Sequence, residues 1–240
     1  MKILTLFIVM LATAVIASLA ALAVSNPGRD SHLEILTTPP SGTVSTSYER
    51  DNGVNLDSQR YRLDASQSKF VAQAMAGGLL WFKGHDHLVA VREFSGEAQL
   101  TPDEISPASL EITARTASMV ETSSVFTEPQ KQIINKELRE IVLLPDQYPE
   151  IVFRSTQVSG RKSGPDHYDL NITGNLTLHG VTRLITIPTK VSLEGNNLRA
   201  VGEFSIERSD FKVKATSAVH GLVRVREKIK FNLDIVGHRI

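Results

Sequence analysis

The sequence contains no cysteine. That excludes disulfide staples, thiolate metal sites and cysteine nucleophiles, and it excludes a lipoprotein anchor, which needs a cysteine just after the leader. Neither sign of charge is in excess, because 26 Lys+Arg balance 26 Asp+Glu. Generic nucleic-acid binding needs a basic surface, so nucleic acid is not an expected partner. The common enzyme signatures are missing too. There is no Gly-x-Ser-x-Gly elbow, no His-Glu-x-x-His and no phosphate-cradling glycine loop, and no spacing ties the serines, aspartates and histidines together. The chain reads as a protein that catalyses no reaction. What remains is a 240-residue sequence of ordinary hydrophobic content, 41%, enough for one domain with a full core.

Residues 1–24 read as a leader. After Lys2 the chain runs apolar from Ile3 to Val24, interrupted only by Thr5, Thr13 and Ser18. Ala21-Leu22-Ala23 has the small-x-small form of a signal-peptidase site. The run is also long enough to span a bilayer. A cleaved signal peptide and an uncleaved N-terminal membrane anchor both fit, and both place the body outside the cytoplasm, in the periplasm or extracellular space. Residues 25–57 hold Asn26-Pro27-Gly28, Pro39-Pro40 and few large apolar side chains. They read as a disordered linker. The domain proper is expected over 58–240.

From Arg60 onward the dominant period is two. In "YDLNITGNLTLHG", Tyr168, Leu170, Ile172, Gly174, Leu176 and Leu178 fall on one face and polar residues on the other. Strict alternation of that length predicts a long strand with one dry face, with Gly174 able to split or bend it. The same phase links Ile151 with Phe153; Ile185 and Ile187 with Val191; Leu198, Ala200 and Gly202 with Phe204; and Ile229 and Phe231 with Leu233 and Ile235. Short polar connectors such as Glu194-Gly195-Asn196-Asn197 read as hairpin turns. One segment differs. Between Pro129 and Pro145, Ile134, Leu138, Ile141 and Val142 have helical spacing, which predicts one or two helical turns. The fold class is therefore all-β, with consecutive antiparallel strands closing into a sandwich or an up-and-down barrel and one or two short helices. Small interior residues such as Ala72, Ala74, Ala200, Gly174 and Gly202 either leave a cavity or face bulky neighbours.

Two segments carry chemistry of their own. "GHDH" places His85 and His87 on one side of a strand. His-x-His is a real metal-ligand spacing that needs a third ligand, for which His179, His220 and Glu93 are candidates. The same imidazoles also suit a polar contact to a ligand head group or plain local hydrogen bonding. "AGGLLWFKG" sets Trp81 and Phe82 between glycines, either as a lid that touches lipid or membrane or as a plug over one barrel end. His179 before Gly180 reads as a turn residue.

Several tracts, "YRLDASQSKF", "FSGEAQLTPDEISPASLEITA", "YPEIVFRSTQV", "ITGNLTLHGVTRLITIPTKV" and "FSIERSDFKV", occur in this order from about Arg60 to Val236. They resemble the successive signatures of the YceI-like family of exported lipid-binding proteins. The resemblance implies a lipocalin-like antiparallel barrel whose interior holds a polyisoprenoid or the tail of an isoprenoid quinone, with no other cofactor. On that reading the tail lies against Phe153, Leu170, Ile172, Leu176, Leu178, Ile185, Ile187, Phe204, Phe231 and Leu233, with Trp81, Phe82, His85 and His87 near the mouth. The competing reading is a metal- or haem-binding accessory of an exported redox system, using His85, His87, His179 and His220. Besides the apolar lipid, a membrane surface and a second copy of the chain as homodimer are the partners to consider. The sequence departs from the family pattern at "GGLLWFKGHDHLVAVREFSG" and at "KVKATSAVHGLVRVREK".

Overall fold

A computed structural model of the protein describes residues 58–218, 220 and 222–240. The leader and linker expected over 1–57 lie outside the described residues. The strands are β1 (Gln59–Gly77), β2 (His87–Val91), β3 (Phe94–Leu100), β4 (Ala108–Arg115), β5 (Met119–Glu121), β6 (Glu150–Gly164), β7 (His167–Leu178), β8 (Val181–Glu194), β9 (Asn197–Glu207), β10 (Ser217–Ala218) and β11 (Val223–Arg239). They form one sheet in the order β10-β11-β9-β8-β7-β6-β4-β3-β1-β2-β5, and β11 also pairs with β1. That last pairing closes β1, β3, β4, β6, β7, β8, β9 and β11 into an eight-stranded antiparallel barrel. β2 and β5 prolong β3 and β4 towards one end, across breaks at 92–93 and 116–118.

The period-two reading of β7 matches its burial residue for residue. Tyr168, Leu170, Ile172, Gly174, Leu176 and Leu178 are all buried, and the residues between them are not. Gly174 does not split the strand. Its pairing with β8 is continuous, and the irregularity falls on the partner β6 instead, between Ser155 and Gln157. In β1 the inward phase changes within one strand. Tyr61 and Leu63 are buried on odd numbers, Ala72 and Ala76 on even ones. A bulge between Asp64 and Lys69 makes the change. Asp64 organises it by accepting from the N–H (2.8 Å) and hydroxyl (2.6 Å) of Ser66, while Ser68 donates to its carbonyl.

The connections sort into two ends. At the bottom lie the β3–β4, β6–β7 and β8–β9 loops, and the core there is floored by Tyr61 and Tyr168, both essentially inaccessible to solvent. At the top lie the β1–β2, β5–β6, β7–β8 and β9–β11 connections. His179 and Gly180 form the two-residue β7–β8 turn, both with positive φ (52° and 73°). That is the backbone twist a tight hairpin demands.

The β5–β6 connection contains the helix. α1 (Glu128–Glu137) starts at Thr127, whose N–H donates to Gln130 Oε1 at 2.8 Å, and a π-helical segment (Leu138–Leu143) continues it. The helical stretch is longer than the one or two turns expected, and its apolar face is shifted. Leu138 and Leu143 are buried, whereas Ile141 is exposed. A π turn brings residues five apart onto one side, which turns Ile141 away from the core.

Candidate functional site

The barrel interior holds a narrow cavity of about 90 Å³. Its walls come from every barrel strand, and no charged side chain is among them. Ala98, Leu110, Ile112 and Ala114 of β3 and β4 adjoin Phe153 of β6 and Leu170, Ile172 and Leu176 of β7 around the wall, with Ile112 paired to Phe153, and Ile185, Ile187, Ala200 and Leu233 complete the ring. Gln99 and Ser109 border the cavity from positions between inward-facing residues. The inward-phase hydroxyl is that of Thr189, which donates to the Ile187 carbonyl at 3.1 Å. The wall therefore offers a ligand dispersion contacts and almost no polar partner.

The cavity is slim because side chains occupy part of the room. A Cβ on Gly174 would stand 2.7 Å from Phe153 Cζ and 2.4 Å from the Arg154 carbonyl oxygen. The missing side chain of Gly174 is the space the Phe153 ring uses. Ala200, by contrast, opens directly on the cavity. Phe204 stacks on Phe231 with ring centroids 4.8 Å apart, and Phe70 meets Phe231 edge-on at 6.2 Å and Phe94 at 6.1 Å. Phe70 and Phe204 border the cavity from this aromatic group.

Of the ten barrel residues expected from sequence, Phe153, Leu170, Ile172, Leu176, Ile185, Ile187, Phe204 and Leu233 line the cavity. Leu178 and Phe231 do not. Leu178 is buried one step too near the top, and Phe231 stands behind Phe204. The β4 residues Ala108, Leu110, Ile112 and Ala114 are not among the expected ten, although they alternate as clearly as β7 does.

His85 and His87 are not part of this cavity. Both rings meet Phe126, His87 stacked at 5.1 Å and His85 edge-on at 5.8 Å. His85 precedes β2, and His87 shares a β2 face with the buried core residues Val89 and Val91, at the end where β2 prolongs the β3 wall. His87 Nδ1 donates to Glu121 Oε2 at 2.8 Å. The Glu121 side chain is wholly buried and also accepts from the N–H groups of Leu88, Thr122 and Ser123 at 3.1, 2.9 and 2.7 Å. Burial alone pushes this carboxyl up, but the His87 ring and these N–H groups outweigh it and hold the carboxyl below its usual range. Its own N–H donates to Asn135 of α1 at 2.7 Å. The pair joins β2, β5 and α1.

His179 lies against the Tyr148 ring, centroids 4.0 Å apart, and both of its ring nitrogens are buried without a hydrogen-bond partner among the described residues. Burial, aided by nearby Lys214, lowers its pKa and favours the neutral ring. His220 is exposed at a positive φ of 53° in the β10–β11 turn. Among the described residues no three His, Asp or Glu side chains come together to hold a metal.

The glycine-framed loop does not plug the barrel. Leu79, Trp81 and Phe82 are 76%, 56% and 63% exposed, and the 3-10 turn Trp81–Lys83 buries nothing. The core at that end is instead filled by Leu138 and Leu143 from the helical connection and Phe211 from the 3-10 turn Arg208–Phe211. Leu80 N–H donates to the Leu222 carbonyl at 2.9 Å. The two tracts that depart from the family pattern are thus side by side at the top. A larger hollow of about 720 Å³ lies on the outer wall, bordered by Lys69, Asp169, Lys190, Glu203 and Asp234. Ion pairs such as Lys190–Asp169 (3.0 Å) and Arg199–Asp234 (2.7 Å) make it a wet surface trough.

Comparison with known proteins agrees with this architecture. Residues 61–237 match the YceI-like domain family. Protein YceI of Escherichia coli O17:K52:H18 (strain UMN026 / ExPEC) is 33% identical over 144 residues, which cover 57% of this chain and 66% of the relative. A UPF0312 protein of Vibrio campbellii is 30% identical over 126 residues, 50% of this chain and 61% of the relative. The chain thus spans just under two thirds of the length of these relatives. Among solved structures, Burkholderia cenocepacia BcnA superposes with a TM-score of 0.57 at 21% identity, covering 72% of this chain and 98% of that one. A polyisoprenoid binding domain from Saccharophagus degradans, implicated in plant cell wall breakdown, gives a TM-score of 0.52 at 12% identity, covering 75% and 98%. At these identities the likeness carries the fold.

Proposed function

The chain belongs to the YceI-like family, and from that premise we propose that its barrel holds an apolar chain of isoprenoid type, either a polyisoprenoid or the tail of an isoprenoid quinone. The observation that carries the reading is the cavity wall, which is apolar on every strand and has no charged side chain. Burying a hydrocarbon there removes apolar area from water at about 25 cal/mol per Å², so a long tail binds without any reaction. The polyisoprenoid binding domain among the structural neighbours supports the same ligand class. The cavity is narrow, so a long tail enters only as Phe70, Phe204 and their neighbours shift, and the lipid completes the core as it binds. The same reading places the domain outside the cytoplasm, on the strength of the apolar run 3–24 and its Ala21-Leu22-Ala23 site.

The test is native mass spectrometry and lipid extraction of protein purified from its own host, with uptake of a polyprenol and an isoprenoid quinone in vitro. Co-purified lipid, or uptake that Ala200→Phe abolishes, is the expected result. No extracted lipid together with no uptake of either probe overturns the proposal. Fractionation of the host cell tests the location: a cytoplasmic protein refutes export.

A further inference from the structure

Large apolar side chains left exposed among the described residues are unevenly placed. Leu79, Trp81, Phe82, Val125, Ile133, Ile141 and Leu222 all lie in top connections, against Leu184, Val201 and Ile240 elsewhere. The densest group is the tip made by two interlocked loops, the 3-10 turn after β1 and the β10–β11 hairpin. Its Leu79, Trp81 and Phe82 are more than half exposed, which marks a projecting tip, not a groove. The core is completed without them, so nothing in the packing of the barrel requires apolar residues there.

Basic side chains predominate around this tip. Residues 212–226 contain Lys212, Lys214, Arg224 and Arg226 and no acidic residue. Lys83 follows the aromatic pair. The stems of Arg224 and Arg226 lie over Gly78 and Gly77, where an added Cβ would meet their Cγ atoms at 3.4 and 2.9 Å. The nearby acid in the first loop, Asp86, is turned back to accept from Ala76 N–H at 2.9 Å. Tryptophan, phenylalanine and leucine on a tip with a basic collar match a bilayer interface, where amphipathic rings enter the acyl boundary and cations meet lipid phosphates.

We propose that the top of the barrel docks on an anionic bilayer, with Leu79, Trp81, Phe82 and Leu222 inserted and the basic collar on the head groups. Docking stands on the exposed tip and its charge, not on the contents of the cavity. It would give the proposed lipid carrier a surface from which to load.

Trp81 is the sole tryptophan in the chain, so its fluorescence reports the tip alone. Co-sedimentation of the full chain would also register the apolar run 3–24, which Trp81 emission does not. With vesicles of phosphatidylcholine and phosphatidylglycerol, Trp81 emission should shift to shorter wavelength and be quenched by lipids brominated near the top of the acyl chain. Raising salt from about 0.05 to 0.5 M should weaken the response. Leu79→Ser/Phe82→Ser should lower vesicle affinity about tenfold or more while leaving thermal unfolding unchanged, since neither side chain is buried. Ala200→Phe, which blocks the cavity, should still give the full Trp81 response even where lipid uptake is lost. Emission unaffected by vesicles overturns the proposal. So does an equal response to pure phosphatidylcholine, or loss of the response in Ala200→Phe, which would trace the signal to lipid uptake. A protein that masks Trp81 where vesicles do not would assign the tip to a protein partner and overturn it too.

Discussion

Glu121 takes a hydrogen bond from His87 at 2.8 Å with its carboxylate fully buried, and it also accepts from the backbone N–H groups of Leu88, Thr122 and Ser123. Half of a motif that looks in sequence like a metal site is thus the hydrogen-bond partner of a structural carboxylate. Removing Glu121 takes this acceptor from the His87 ring and from the Leu88 and Ser123 N–H groups, while the Thr122 N–H keeps the Leu88 carbonyl at 2.8 Å. Glu121→Ala should destabilise the fold by about 3–5 kcal/mol, and His87→Ala by about 1–3 kcal/mol, read as a fall in the denaturant midpoint. Unchanged midpoints in both would refute this role.

The contact of Phe153 with Gly174 predicts a second loss. Gly174→Ala drives a methyl against the Phe153 ring and the Arg154 carbonyl. Overpacking of this kind costs about 1–3 kcal/mol, more where backbone must move. Phe153→Leu in the same chain should recover only part of it, because the carbonyl contact at 2.4 Å remains. A double-mutant cycle measures the share belonging to the ring.

Asp64 sets an acid limit on the β1 bulge. Hydrogen bonds from Ser66, joined by His238 and Gln67, hold its pKa at about 2 against a model-peptide value of 3.8. A depressed carboxyl stabilises the fold above its unfolded pKa and loses that contribution as pH falls through the folded one. The contribution should therefore be complete above about pH 4 and vanish towards about pH 2. Asp64→Asn should flatten the stability profile across that interval. An identical profile in wild type and variant would show that the bulge does not depend on the charge.

Enlarging the cavity links stability to ligand. Ile172 is buried in the cavity wall, and Ile172→Ala should cost about 2–5 kcal/mol in lipid-free protein. If an apolar chain fills the bore, saturating polyprenol should raise the melting temperature of the variant at least as much as that of the wild type, because a ligand that binds only the native state stabilises it by mass action. A variant whose melting temperature does not respond to polyprenol would count against occupancy of this cavity.

Most of the barrel was legible in sequence because a strand buried on one face writes its burial into every second residue. β7, β8, β9 and β11 show this, and seven of the nine wall residues expected there border the cavity, as does Phe153 of β6. The helical stretch was legible in place but not in phase. Its π turn changes which residues share a face, and the spacing of Leu138, Ile141 and Val142 cannot announce that. In β1 the even phase of Ala72 and Ala74 was legible but the odd-numbered burial of Tyr61 and Leu63 was not, since the bulge after Asp64 moves burial from odd to even positions inside one strand.

The linear sequence by itself determined the strand alternation, the hairpin turns and the absence of thiol chemistry, all of which depend on residues near each other in the chain. Tertiary structure alone decided the roles of the two conspicuous motifs. His87 acquired its meaning from Glu121, 34 positions away, and the Trp81 loop lost its place as a plug because Leu138, Leu143 and Phe211 fill that end first. A buried charge takes whichever partner the fold brings within hydrogen-bond distance, and a core position goes to whichever side chain reaches it. Both outcomes are set by closure of the barrel, through the pairing of β1 with β11 across most of the domain.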